Sequence, residues 1–185
     1  IYNCYNLGKI YSNDYLGSSI GGIIGQSRSD VLELSGCYNK GEIYASEEFA
    51  NQGGFIGGLI GQSNDGKLYN CYNWGKINLF ITLEHRVDER EQGIGGLIGQ
   101  MGHTFDNSVY SVINCFSICD VELNYTGDTN PEKMSYFGNI AGVAKGKFII
   151  ENCYGFSNKS INLPNDVCKF SQVVGFIGKS NMEEG

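Results

Sequence analysis

Apolar residues along this chain fall in short runs bounded by glycine and asparagine, and none carries the spacing of an amphipathic helix. In the stretch around Trp74 the runs are Lys67 to Asn73, Lys76 to Ile81 and Gly93 to Gln100. The same trio returns along the chain, because two phrases alternate five times each. One reads Asn70-Cys71-Tyr72-Asn73-Trp74-Gly75-Lys76-Ile77, with copies from Asn3 and Gly36 and worn copies at Asn114-Cys115-Phe116 and Asn152-Cys153-Tyr154. The other reads Ile56 to Gln62 as Ile-Gly-Gly-Leu-Ile-Gly-Gln, with copies from Ile20 and Ile94 and degenerate ones over Phe137 to Val143 and Val173 to Lys179. The cysteines stand at 4, 37, 71, 115 and 153, in steps of 33, 34, 44 and 38 residues. A unit of that length cannot bury its apolar face alone and must stack on its neighbours.

Three short strands per unit, stacked in register, predict an all-β fold: a parallel β-helix, or β-solenoid, of about five coils. It would rise about 24 Å, at about 4.8 Å per coil. The units run approximately 1–33, 34–67, 68–111, 112–149 and 150–185, one repeat array that reads as a fragment of a larger protein. A five-bladed propeller is the rival fold, but each blade needs four antiparallel strands and only three stretches are found.

The glycine phrase predicts ladders. Ile23, Leu59, Leu97, Ile140 and Phe176 hold a large apolar slot expected to point inward, with Gly25, Gly61, Gly99, Gly142 and Gly178 two residues on. Such a glycine either adopts a backbone conformation other residues resist or leaves room for a neighbour. Ile20, Ile56, Ile94, Phe137 and Val173, with Ile24, Ile60, Ile98, Ala141 and Ile177, make the opposite face apolar as well. A half-exposed strand would alternate there, so that outer face is expected to be covered by loops of the same chain, or else by a partner. In the other phrase an apolar residue three positions before each cysteine requires a bend between them. The asparagine preceding the cysteine is expected at that bend, as an amide ladder.

Seven cysteines suggest disulfides, but five of them share one repeat position. In-register thiols on parallel strands match disulfide geometry poorly, so Cys4, Cys37, Cys71, Cys115 and Cys153 are expected as a ladder of free thiols acting as small hydrophobes. No Cys-x-x-Cys pair supports zinc. The stacked Tyr5, Tyr38, Tyr72, Phe116 and Tyr154 read either as an exposed platform for sugar rings or proteins, or as a ladder stabilising the stack.

Composition narrows the function. Over 185 residues there are 27 glycines, 12 tyrosines and 2 prolines, as many strands and tight turns require. A net charge of −7 argues against nucleic acid as partner, and no apolar run is long enough to insert in a membrane as a helix. The two histidines, His85 and His103, lie outside the best-matched repeat segments, and no carboxylate ladder crosses the coils, so no catalytic constellation is found and the chain is expected not to be an enzyme. No cofactor is implied. Asp128, Asn130 and Glu132 place oxygens at alternate positions, an incomplete calcium candidate.

Insertions over 11–19, 44–53, 78–93, 122–136 and 162–172 all emerge at one edge of the stack. Variable loops on a rigid scaffold carry binding, which makes His85, Arg86, Asp88, Tyr125 and Asp128 the candidate contact residues.

The phrase at 56–62 and 94–100, together with Asn70 to Ile77, resembles the GLUG-motif repeat of large secreted and cell-surface bacterial proteins, including IgA-specific metallopeptidases and adhesin-like chains. The resemblance is close over the first three units and weaker over the last two. It implies a β-solenoid in an extracellular protein, with the export signal and any peptidase domain elsewhere in the parent chain. The function expected is a scaffold or adhesion module meeting a host protein or glycan, beside flanking domains of its own parent; a carbohydrate-active β-helix, or its substrate-binding module, is the alternative.

Overall fold

A computed structural model describes residues 1–13, 19–28, 32–46, 54–82, 92–102, 109–126, 135–162, 168–171 and 174–177. Among them there is no helix, and every strand pair is parallel. Each strand pairs with its counterpart one repeat away: Leu68 lies opposite both Leu34 and Val112, and Tyr72 opposite both Tyr38 and Phe116. The arrangement is all-β and consistent with a β-solenoid.

Four sheets result. A leucine sheet holds Glu33–Ser35, Lys67–Tyr69, Val109–Ile113 and Lys147–Glu151. A tyrosine sheet holds two series, Tyr5–Asn6, Tyr38–Asn39, Tyr72–Asn73 and Ile10–Ser12, Ile43–Ala45, Ile77–Thr82. The two series join where Phe116–Thr126 and Tyr154–Asn162 run through as single long strands. The glycine phrase supplies the last two sheets, one with Phe55–Gly57 and Gln92–Gly95, the other with Ile60–Ser63 and Ile98–Met101.

In the third unit two of the three expected stretches are each divided into two strands. Lys67 to Asn73 divides at Asn70, whose φ of 54° is left-handed. Asn3, Asn114 and Asn152 repeat that φ at 54°, 53° and 51°, and Gly36, standing where asparagine is missing, has 65°. Asparagine and glycine are the residues that enter this region at least cost. Gly93 to Gln100 divides between Gly95 and Ile98.

That second break corrects the apolar outer face. Ile56, Ile94 and Phe137 are fully buried with Ile43, Ile77, Leu79 and Val121, while Leu59, Ile60, Leu97 and Ile98 are buried in a second core with Leu34, Leu68 and Val112. No loop or partner is needed to cover them. A bend at the paired glycines sends the two halves of the phrase into different cores, which a straight-strand alternation does not anticipate. The glycine ladder provides close approach: a Cβ on Gly61 would fall 2.6 Å from the Ile20 nitrogen, and one on Gly99 would fall 2.5 Å from the Ile56 nitrogen. The two glycine-phrase sheets thus touch backbone to backbone.

Candidate binding face

The cysteine phrase builds one face of the stack from inside outward. Cys37, Cys71 and Cys115 are buried free thiols, Cys153 is half-buried and Cys4 is exposed. Each sulfur serves the bend beside it. The Cys71 thiol donates to the Tyr69 carbonyl at 3.2 Å, and its backbone N–H donates to the Cys115 sulfur at 3.4 Å. Cys4 and Cys37 repeat the pattern. Burial pushes the Cys37 thiol up, and the neighbouring Cys153 and Cys71 sulfurs raise Cys115. Interaction with the Cys115 sulfur lowers the Cys71 and Cys153 thiols. Burial lifts Cys119, outside the ladder, to about 11.

The buried amide ladder belongs to a different asparagine from the one expected. Asn3, Asn70, Asn114 and Asn152 make the bend, and of these Asn152 donates to Asn114 at 3.2 Å. The continuous ladder is Asn6, Asn39 and Asn73, where Asn6 Nδ2 donates to Asn39 Oδ1 at 2.8 Å and Asn39 Nδ2 to Asn73 Oδ1 at 2.9 Å. Each amide also closes a turn on the glycine two residues later. Asn39 accepts from the Gly41 N–H at 3.0 Å and donates to the Gly41 carbonyl at 3.0 Å. The signal was legible as Asn-x-Gly in all three copies, the pattern of a side-chain-capped turn. Ser117 and Gly155 hold the slot in the fourth and fifth units. Opposite it stand Gly22, Gly58 and Gly96, whose added Cβ atoms would fall within 2.6 Å of Asn39, Asn73 and Ser117. In the last described contact of this kind the sizes are exchanged, with Asn139 donating to the Gly155 carbonyl at 3.2 Å.

Outside this ladder lies the aromatic row. Tyr5, Tyr38, Tyr72 and Phe116 stack at centroid separations of 5.3, 4.8 and 4.8 Å, with planes within 11° of parallel. Both faces of Tyr38 and Tyr72 are taken by their neighbours, so these two rings offer edges and hydroxyls rather than open platforms. Beside them, at the tips of the Asn-x-Gly turns, project Leu7, Lys40 and Trp74, and in line with these on the long strands stand Ile118 and Phe156. Trp74 is 59% exposed, Leu7 61% and Phe156 50%. The next row is charged: Lys9, Glu42, Lys76 and Asp120. Lys9 pairs with Glu42 at 2.8 Å and Lys76 with Glu122 at 2.7 Å, while Asn78 donates to Glu42. The hydrogen bond from Lys9 holds the Glu42 carboxyl below its ordinary range. Between the two rows runs a groove of about 380 Å³, lined by Lys40, Glu42, Trp74, Lys76, Ile118 and Asp120.

The contact residues expected from the sequence are, apart from Tyr125, not among those the structure describes. His85, Arg86, Asp88, Asp128, Asn130, Glu132 and Gly178 lie outside the described residues, and Tyr125 stands in Phe116–Thr126 opposite Ile81. Among the described residues no three of His, Cys, Asp and Glu converge as a metal site would require.

No protein-family model and no curated protein matches the chain. Among solved structures it is similar to "a putative immunoglobulin A1 protease from Bacteroides ovatus", at 16% identity and a TM-score of 0.41, over 95% of this chain. The chain spans 65% of that protein's length. The expectation that the chain is not an enzyme is corrected: that structure is named a putative protease, and the lack of a histidine-based constellation in the sequence is no ground for the exclusion. Both histidines lie outside the described residues.

Proposed function

We propose that this chain is a β-solenoid module of the GLUG-repeat kind, from an extracellular or cell-surface bacterial protein, and that it meets a host protein or glycan on the outer face of its tyrosine sheet. The observation that carries the reading is the row Leu7, Lys40, Trp74, Ile118 and Phe156. The aromatic row beside it repeats from coil to coil because each ring stacks on its own copies. This row changes residue type at every step, with a charge at Lys40, while presenting three large apolar side chains at half exposure or more. Variation on a rigid, repeated frame is the character of a recognition surface.

Arrays of extracellular proteins and glycans, probed with the purified chain and followed by product analysis of whatever is retained, test the reading. Binding that is lost on Lys40→Glu or Trp74→Ala and kept on Ile149→Asn, on the leucine sheet, supports it. Binding indifferent to the tyrosine-sheet substitutions, or no binding at all, overturns it. Turnover of a retained substrate that persists in the two tyrosine-sheet variants would likewise place the activity elsewhere and refute the assignment to this face.

A further inference from the structure

The groove beside Trp74 has a chemistry narrower than the face around it. On one side Trp74 and Ile118 present apolar surface, the indole projecting from the tip of an asparagine-capped turn. On the other side Glu42, Lys76 and Asp120 follow one another on adjacent strands, since Ile43, Ile77 and Val121 are paired in register. Lys40 closes one end, its ammonium 5.4 Å from the Tyr38 ring centroid.

Two ammonium groups and two carboxylates line this space, so its formal charge cancels. The outward partners Lys9 and Glu122 cancel as well. A phosphate, sulfate or uronate ligand would meet Glu42 and Asp120, and a polyamine would meet Lys40 and Lys76. Neither is favoured. What suits an apolar platform beside alternating donors and acceptors is an uncharged molecule with one C–H face and a rim of hydroxyls. Each hydroxyl both donates and accepts, so it can take a bond from lysine and give one to a carboxylate. The ion pairs of Glu42 and Lys76 hold those groups in place before any ligand arrives, which lowers the ordering cost of binding. The volume lies within the ordinary range for small-ligand clefts.

We propose that this groove is a subsite for a neutral hexose unit of a glycan, with Trp74 as the platform and Lys40, Glu42, Lys76 and Asp120 as hydroxyl partners. The proposal rests on the reading of the tyrosine sheet as the contact face, and goes beyond it by naming the ligand class and its seat.

The chain's single tryptophan is Trp74, so its emission reports this site alone. Neutral gluco-, manno- and galacto-oligosaccharides are titrated into the chain at 50 and 500 mM salt, with oligogalacturonate and sulfated oligosaccharides as acidic counterparts. The expected result is a saturable change in emission with a neutral oligosaccharide, little affected by salt. Trp74→Ala should weaken binding at least tenfold by calorimetry, and Asp120→Asn or Lys76→Met severalfold. Far-UV circular dichroism and the urea midpoint confirm that these exposed substitutions leave the fold intact, and Trp74→Phe should keep part of the affinity. Binding of acidic glycans alone, suppressed by salt, overturns the proposal. So does a partner on the tyrosine sheet that leaves Trp74 emission and the Trp74→Ala affinity unchanged, although the wider reading of the face then survives. If no partner binds the face at all, both fall together.

Discussion

Asn39→Ala should remove the most heavily used side chain in the stack. The amide of Asn39 is fully buried and fills all four of its hydrogen-bonding positions. It donates to Asn73 and to the Gly41 carbonyl, and accepts from Asn6 and the Gly41 N–H, all between 2.8 and 3.0 Å. A net contribution of about 1 kcal/mol per bond gives about 4 kcal/mol, and leaving the buried Gly41 N–H without a partner raises it toward the upper end of about 3–5 kcal/mol. Asn6 is the internal control. It sits at the open end of the same ladder, makes three such bonds and is only half-buried, so Asn6→Ala should cost about 1–2 kcal/mol. Asn39→Asp sharpens the test, because the carboxylate keeps the shape but would face the Asn73 and Gly41 oxygens with no proton to give. It should cost more than alanine. Urea denaturation at pH 7, followed both by circular dichroism and by Trp74 emission, measures all three. Equal losses for Asn39→Ala and Asn6→Ala, or an aspartate milder than the alanine, would refute the ladder as the source of stability.

Gly58→Ala places a methyl 2.2 Å from both the Asn73 amide nitrogen and the Gly96 carbonyl, so the chain should lose soluble expression or at least about 4 kcal/mol. Gly8→Ala, whose nearest neighbour is 3.6 Å away, should shift the thermal midpoint little. At the left-handed bend, Asn70→Gly should be close to neutral, since Gly36 already does this work one coil earlier, whereas Asn70→Ala should cost about 1–2 kcal/mol by the same measurement. Burial lifts the Cys119 thiol from an ordinary value near 9 to about 11, so above pH 9 the unfolded chain releases this proton and the folded chain keeps it. Stability from this group is complete below pH 9 and declines by about 3 kcal/mol as the pH passes 11. Urea midpoints from pH 8 to 11 should therefore fall more steeply for the wild type than for Cys119→Ala; parallel curves would remove Cys119 from the account.

What was legible and what was not divide along a physical line. Periodicity in sequence maps directly onto parallel pairing, so the register of Tyr72 against Tyr38 and Phe116 follows from the repeat alone. The bend before each cysteine was also readable, because an apolar residue and a cysteine three positions apart cannot both face inward along a straight strand. The partition of the glycine phrase into two cores was not. It depends on a turn between Gly95 and Ile98 that brings one sheet onto the back of the other, and glycine spacing alone does not distinguish a close backbone approach from an inward gap. The buried ladder of Asn6, Asn39 and Asn73 is harder to read for a related reason. Both asparagines of the phrase recur, and only the Gly41 and Gly75 positions two residues downstream reveal which of them closes a turn.

That distinction bears on where recognition is found in a chain that carries its own internal alignment. A side chain stacked between copies of itself, like Tyr38 or Asn39, is constrained by its neighbours above and below, so its recurrence reports packing. Trp74 is under no such constraint: the stack tolerates leucine, lysine, isoleucine and phenylalanine at the same step. Packing therefore supplies no reason for an indole there, and its exposure makes it a liability for solubility unless something covers it. The slots that repeat explain why the coils stand; the slot that does not repeat, beside charges already held in pairs, is where a ligand has reason to bind.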